Sequence, residues 1–184
     1  MKTIITASIA SIAFSWSAFG AAEFFTRSQL IERATVIAIV SLEEPEEAKP
    51  AGKNTDPFAD VAAGEKWIYS RQATMRIEKV LKGEIPEEVI IYGDESFICA
   101  QCKLSKGRFL AFLRQDGELW SGVNWHLSLR PIRNKKVEWY VSEELRYPME
   151  FKNLDTVIAE VQAAISEEKK ANKSEHATPR KPSD

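Results

Sequence analysis

Hydrophobic and polar positions along the chain change their period several times, and each change marks an element. Residues 4–14 form a short apolar run without a charge. Residues 28–34 place Leu30 and Ile31 on one face of a short helix, and Thr26 followed by Gln29 supplies a capping box in front of it. Residues 35–42 are rich in Val and Ile with no polar alternation, which predicts a strand buried on both faces. Residues 67–81 alternate, with Ala73, Met75 and Ile77 in phase, and the parity then slips to Val80. A slip of one residue turns a strand's faces over, so a bulge or sharp bend is expected near Glu78 and Lys79.

The second half of the chain is a run of short strands. Residues 89–92 form one, and residues 108–113, apolar on both faces, form a central one. Asp116-Gly117 is a hairpin signal, and the strands 118–123, 127–132 and 137–141 follow, with a turn at Asn134 between the last two. Strands this closely spaced, without helices between them, predict a sandwich or a barrel. Asn153 can cap a final helix whose Leu154, Val157, Ile158, Val161 and Ile165 fall on one stripe. Such a stripe must pack on something, most simply the outside or open end of a barrel.

Two stretches interrupt the pattern. Residues 43–66 hold Pro45, Pro50, Gly52, Asn54, Pro57 and Gly64 with an excess of acids, which predicts a long polar loop. Residues 166–184 lose their apolar positions and carry Pro179 and Pro182, which predicts a disordered charged tail.

The first apolar run changes the picture of the whole chain. Lys2 precedes it, and Ala18, Gly20, Ala21 and Ala22 follow it, the order of an export signal. Cuts after Gly20 and after Ala22 both fit, and the second is preferred, giving a signal over residues 1–22. The run is too short for a bilayer, which needs about 20 apolar residues. The product is expected to be secreted or periplasmic, without a membrane span. Lipid attachment at the cut would need a cysteine, and the first cysteine is Cys99. One domain over residues 23–165 then remains, long enough to bury a core of its own. The formal charge of -2 shows no basic excess. Nucleic-acid binding depends on clustered Lys and Arg, so it is not expected.

Cys99 and Cys102, in a single C-x-x-C, are the only cysteines. In an oxidising compartment the pair reads as a small structural disulfide. The competing reading is a redox-active pair. Such pairs sit where a helix N-terminus lowers the thiol pKa, and no helical pattern follows this one. With only His126 and His176 beside the cysteines, no metal-ligand spacing appears, and neither a metal nor a cofactor is expected. Motifs of hydrolases, nucleotide-binding loops and zinc proteases are absent from the sequence. Trp120, Trp125 and His126 cluster beside a strand turn, where aromatic rings either stack on a ligand or fill the core.

Three segments together resemble a known family. They are Ala34-Thr35-Val36-Ile37-Ala38-Ile39-Val40, then Met75-Arg76-Ile77-Glu78-Lys79-Val80-Leu81-Lys82-Gly83, then Cys99 followed by Gly107-Arg108-Phe109-Leu110-Ala111-Phe112-Leu113. Their order is similar to that of netrin-like and tissue-inhibitor-of-metalloproteinase-like domains, and it covers about half of the mature chain. The resemblance implies an OB-type β-barrel, and with the two helices read from the pattern the expected fold is mainly β, a closed or partly open OB-like β-barrel with a short N-terminal helix and an amphipathic C-terminal helix. The family's inhibitors act through an N-terminal cysteine that chelates the target's zinc. Neither expected cut leaves one here, so that activity does not carry over. The resemblance implies a scaffold for binding. The expected function is a noncatalytic exported module for a protein or small ligand, and the alternative is a thiol-disulfide redox accessory protein.

Overall fold

The computed structural model describes residues 24–48, 70–93, 102–124, 127–143 and 149–175. Helix α1 (Arg27–Arg33) opens the fold, and the expected capping box is present. The Thr26 hydroxyl accepts from the Gln29 backbone, and the Gln29 side chain accepts from the Thr26 backbone. Strands β1 (Val36–Leu42), β2 (Glu46–Glu47), β3 (Arg71–Lys82), β4 (Glu88–Gly93), β5 (Gly107–Asp116) and β6 (Leu119–Gly122) follow. The chain ends on β7 (Leu129–Arg133), β8 (Lys136–Tyr140), β9 (Met149–Asn153) and helix α2 (Leu154–Glu175).

Five strands close into a barrel in the order β1-β3-β4-β6-β5, with β5 returning to β1. Every pairing round the ring is antiparallel except β4 with β6, which is parallel. This is the mainly β, OB-like barrel with two terminal helices that the sequence predicts. Strands β7, β8 and β9 extend the sheet from β5 as an antiparallel flap.

β1 and β5 pair along their whole common length, from Val36↔Leu113 to Leu42↔Gly107. Alternate residues of each leave by opposite faces. Val36, Ala38, Val40, Phe109, Ala111 and Leu113 enter the lumen, where they meet Ala73, Met75, Ile91 and Trp120. Ile37, Ile39, Leu110 and Phe112 enter a second core outside the barrel, under α1, α2 and β8. Two cores thus share one wall, which is why both strands read as apolar throughout. Leu154, Val157, Val161 and Ile165 of α2 are buried in the outer core, as their spacing predicts. The Phe112 and Trp139 rings stack there at 5.8 Å.

The expected bend in β3 is a double irregularity. The register against β1 shifts between Ile39↔Lys79 and Val40↔Ile77, and again between Ile37↔Lys82 and Ala38↔Val80. Glu78 and Leu81 are the extra residues. The consequence differs in one respect from the apolar pattern: Val80 is exposed, and Leu81 packs against the outer core instead. The Asp116-Gly117 hairpin forms between β5 and β6. Asn134 and Lys135, at φ of 50° and 58°, make the two-residue turn between β7 and β8.

Three elements depart from expectation. β2 lies within the stretch expected to be loop, and β9 is a strand that the pattern does not announce. Helix α2 continues to Glu175, well into the stretch expected to be a disordered tail, while residues 176–184 lie outside the described residues. The expected Asn153 cap is present, its side-chain oxygen accepting from the Asp155 backbone at 2.8 Å. The signal segment, residues 1–22, also lies outside the described residues.

Candidate functional site

Of the residues singled out by sequence, Cys102 and Trp120 fall among the described residues, and both are inside the barrel. Cys102 is fully buried at one end of the lumen, in irregular backbone after β4. Two glycines make room for this segment. A Cβ on Gly93 would lie 2.3 Å from the Cys102 carbonyl oxygen, and one on Gly122 would lie 3.0 Å from the Cys102 Cβ. Burial pushes the Cys102 thiol up to about 12, and a backbone hydrogen bond from Gly122 offsets this only in part. A thiol held this way is a poor nucleophile, since the thiolate is the reactive form. It is a free thiol in the structure, and Cys99, its expected partner, lies outside the described residues.

Trp120 is 7% exposed and packs in the lumen against Ile91 and its neighbours, so its ring serves the core. It pairs with Ile91 across the parallel β4–β6 contact. Trp125 and His126 lie outside the described residues. Among the described residues, no cluster of three His, Cys, Asp or Glu side chains is placed to hold a metal ion.

The opposite surface of the same strands carries a more ordered arrangement. Ala73, Met75 and Ile91 point into the lumen, so Gln72, Thr74, Arg76, Ile90 and Tyr92 leave by the outer face. The pairing sets them in rows. Gln72, Tyr92, Ser121 and Arg114 share one row across β3, β4, β6 and β5, of which Gln72 and Ser121 are buried. Thr74 and Ile90 form the next, and Arg76 and Glu88 the third. The rows are braced at their ends. Gln72 donates to Glu46 of β2 at 2.7 Å, and Arg114 Nε donates to the Ser121 hydroxyl at 3.2 Å. Arg76 donates to Glu88 at 3.0 Å and lies 3.1 Å from Glu43.

Ile90, 39% exposed, stands in this face opposite Thr74, one row from the Arg76–Glu88 pair. The signal for this face in the sequence was the pair Ile90 and Ile91: in a strand of a closed barrel only one of two adjacent residues can face inward. The face was missed because the aromatic cluster near Trp120 drew the expectation of a site instead.

A third cluster ties the helices to the flap. Glu160 of α2 accepts from the Trp139 indole at 2.9 Å and from Arg27 at 3.1 Å. Arg27 also donates to Glu143, which accepts in addition from the Ser28 backbone and hydroxyl. Desolvation raises the Glu143 pKa, but the Ser28 hydrogen bonds and Arg27 outweigh it and leave the carboxyl below its ordinary value. The Tyr140 hydroxyl donates to the Phe25 carbonyl at 2.8 Å, which fixes the chain just before α1. These contacts are spent on holding α1, α2 and β8 together.

A scan against protein-family models, a search of the curated proteins and a search of the solved structures each found no match. The fold and the site geometry therefore carry the functional reading.

Proposed function

We propose that this chain is an exported, noncatalytic binding module that engages a protein partner through the outer face of β3 and β4. The observation that carries it is Ile90, exposed on this face one row from the ion pairs that Arg76 makes with Glu88 and Glu43. In the OB-fold the second and third strands form the face that takes oligonucleotides and oligosaccharides. In this chain they are β3 and β4. The likeness of three segments to netrin-like domains points to the same kind of use, a scaffold for binding.

The redox alternative asks for an accessible thiol of lowered pKa. Cys102 is buried, and its pKa is raised instead, which favours a structural role. In an oxidising compartment we expect it to close onto Cys99.

The test is capture of a partner from periplasmic extract or culture fluid by the exported chain, wild type against Ile90→Lys. A stoichiometric partner retained by the first and lost by the second is the expected result. Robust turnover on a substrate panel, with nothing captured, would contradict the proposal.

A further inference from the structure

β9 ends the strand order of the sheet, and among the described residues it pairs only with β8. Its sequence, Met149-Glu150-Phe151-Lys152-Asn153, is self-complementary about its middle residue. Two copies of this strand laid antiparallel, centred on Phe151, would set Phe151 opposite Phe151. Glu150 of each copy would then face Lys152 of the other, twice over, on the same side of the sheet.

The side chains stand as this pairing requires. Phe151 is 57% exposed, the most exposed of the large hydrophobic residues described, and it lies opposite Glu138 on the face away from Trp139. Glu150 and Lys152 lie opposite Trp139 and Val137, on the face toward α2. Lys152 is drawn inward there, 3.5 Å from Glu150 and 3.6 Å from Glu160. Soluble proteins usually guard an edge strand with an outstanding lysine, a proline or a bulge. The lysine of β9 is turned onto the helix, its five residues include no proline, and the pairing with β8 runs without a register shift.

We propose that β9 is a self-association edge, and that its occupant is the β9 strand of a second copy of this chain, joined about a two-fold axis through Phe151. Isologous pairing of this kind is the commonest way for a protein to form a closed dimer. Charge complementarity selects the occupant. A parallel copy in register would set Glu150 against Glu150 and Lys152 against Lys152, whereas the antiparallel copy sets each against its opposite, and like charges directly opposed destabilise a sheet.

The experiment uses charge exchange in the full exported chain, followed by sedimentation equilibrium over a range of concentrations. Wild type is expected to move toward twice the monomer mass as concentration rises. Glu150→Lys alone makes both crossings Lys against Lys, and Lys152→Glu alone makes both Glu against Glu. Each variant by itself is expected to associate at least several-fold more weakly than wild type. Mixed in equal amounts, the two variants restore both crossings, and the mixture is expected to associate as strongly as wild type. Rescue on mixing is a readout that a simple folding defect cannot produce. Circular dichroism and Tm of each variant check the loss of the Lys152–Glu160 contact separately. A second arm uses Phe151→Cys. Directly opposed residues in an antiparallel pair have Cα atoms about 4.5–5.5 Å apart, within disulfide reach. Mild oxidant should therefore link Phe151→Cys into a covalent dimer and leave Val80→Cys, which is also exposed but lies on β3, unlinked. A monomer at every concentration would overturn the proposal. So would a dimer that Glu150→Lys leaves intact, a mixture no more associated than its components, or equal cross-linking at positions 80 and 151.

Discussion

Lys82 is the residue on which the helices and the barrel most depend for their mutual position. It ends β3, and its ammonium donates to the carbonyls of Ile31 at 2.9 Å and Glu32 at 3.2 Å, at the C-terminal end of α1. It also meets both carboxylate oxygens of Glu168 on α2, the nearer at 3.0 Å. Its side chain is 17% exposed, so these bonds are only partly shared with water. Lys82→Met keeps the aliphatic stem and removes all of them. Hydrogen bonds to a charged donor contribute about 1.5–3 kcal/mol, and the two carbonyls act largely as one site, so the whole loss should be about 1.5–3 kcal/mol. For a domain of this size each kcal/mol moves Tm by about 2–4 °C, so a fall of about 3–12 °C is expected. Glu168→Gln separates the two roles of Lys82. It removes the ion pair and leaves the carbonyl bonds, and a partly exposed pair contributes about 0.2–1 kcal/mol. Thermal unfolding by far-UV circular dichroism, with urea midpoints for both variants, gives the comparison. A Lys82→Met shift no larger than that of Glu168→Gln would refute the reasoning, because the cap on α1 would then contribute nothing.

Gly93→Ala should destabilise the barrel by about 1–3 kcal/mol, as overpacking does, because the backbone carbonyl of Cys102 stands where the new methyl would go; a urea midpoint unchanged from wild type would contradict the close approach. In the reduced protein, Cys102 should resist maleimide until the barrel unfolds. Burial lifts its folded pKa to about 12, above the 9.0 of a free thiol. The folded state therefore holds the proton longer than the unfolded one, and this contribution to stability is complete below about pH 9 and lost as pH rises toward about 12. Urea midpoints of reduced wild type and Cys102→Ala, compared across that range, should lose their difference in slope only if the thiol is exposed. Glu143 runs the other way: its folded pKa is depressed, so its contribution is present at neutral pH and lost as acid protonates the folded carboxylate. Glu143→Gln should flatten the acid limb of the stability curve, and an unchanged limb would place the titration elsewhere.

Much of the fold was legible in the sequence because burial on two faces leaves a simple mark. β1 and β5 read as unbroken apolar strands since each faces the lumen on one side and the helix-covered core on the other. The slip of parity in β3 was legible as well, although Val80 was not the residue that turned inward. Leu81 did so, because a second extra residue follows the first and rotates the strand again. β9 carries little pattern of its own. Among the described residues it has one neighbour strand, and its most apolar residue, Phe151, faces solvent, so alternation gives no sign of a buried face. Helix α2 runs past its apolar stripe for a different reason. Once a helix is nucleated, each further residue adds a hydrogen bond at low cost, and the Ala, Glu and Lys of residues 166–175 are good helix formers. Lys82 then holds the extension at Glu168, a contact between residues 86 apart in the chain that no local pattern reveals.

The candidate site was less legible than the fold. A buried tryptophan and an exposed one look alike in a short strand, and Trp120 proved to be buried. The outer rows of β3 and β4 mix Gln, Thr, Arg, Ile and Tyr and match no catalytic or ligand-binding motif. Only the closure of the barrel, which fixes which residues face inward, separates Ile90 from Ile91.

The affinity of the captured partner for wild type and for Ile90→Lys tests the central claim most directly. Loss of an apolar anchor from an interface costs about 2 kcal/mol or more, so binding should weaken by at least about thirtyfold with Tm unchanged. Equal affinity for both proteins would show that the outer face of β3 and β4 is not where this chain binds.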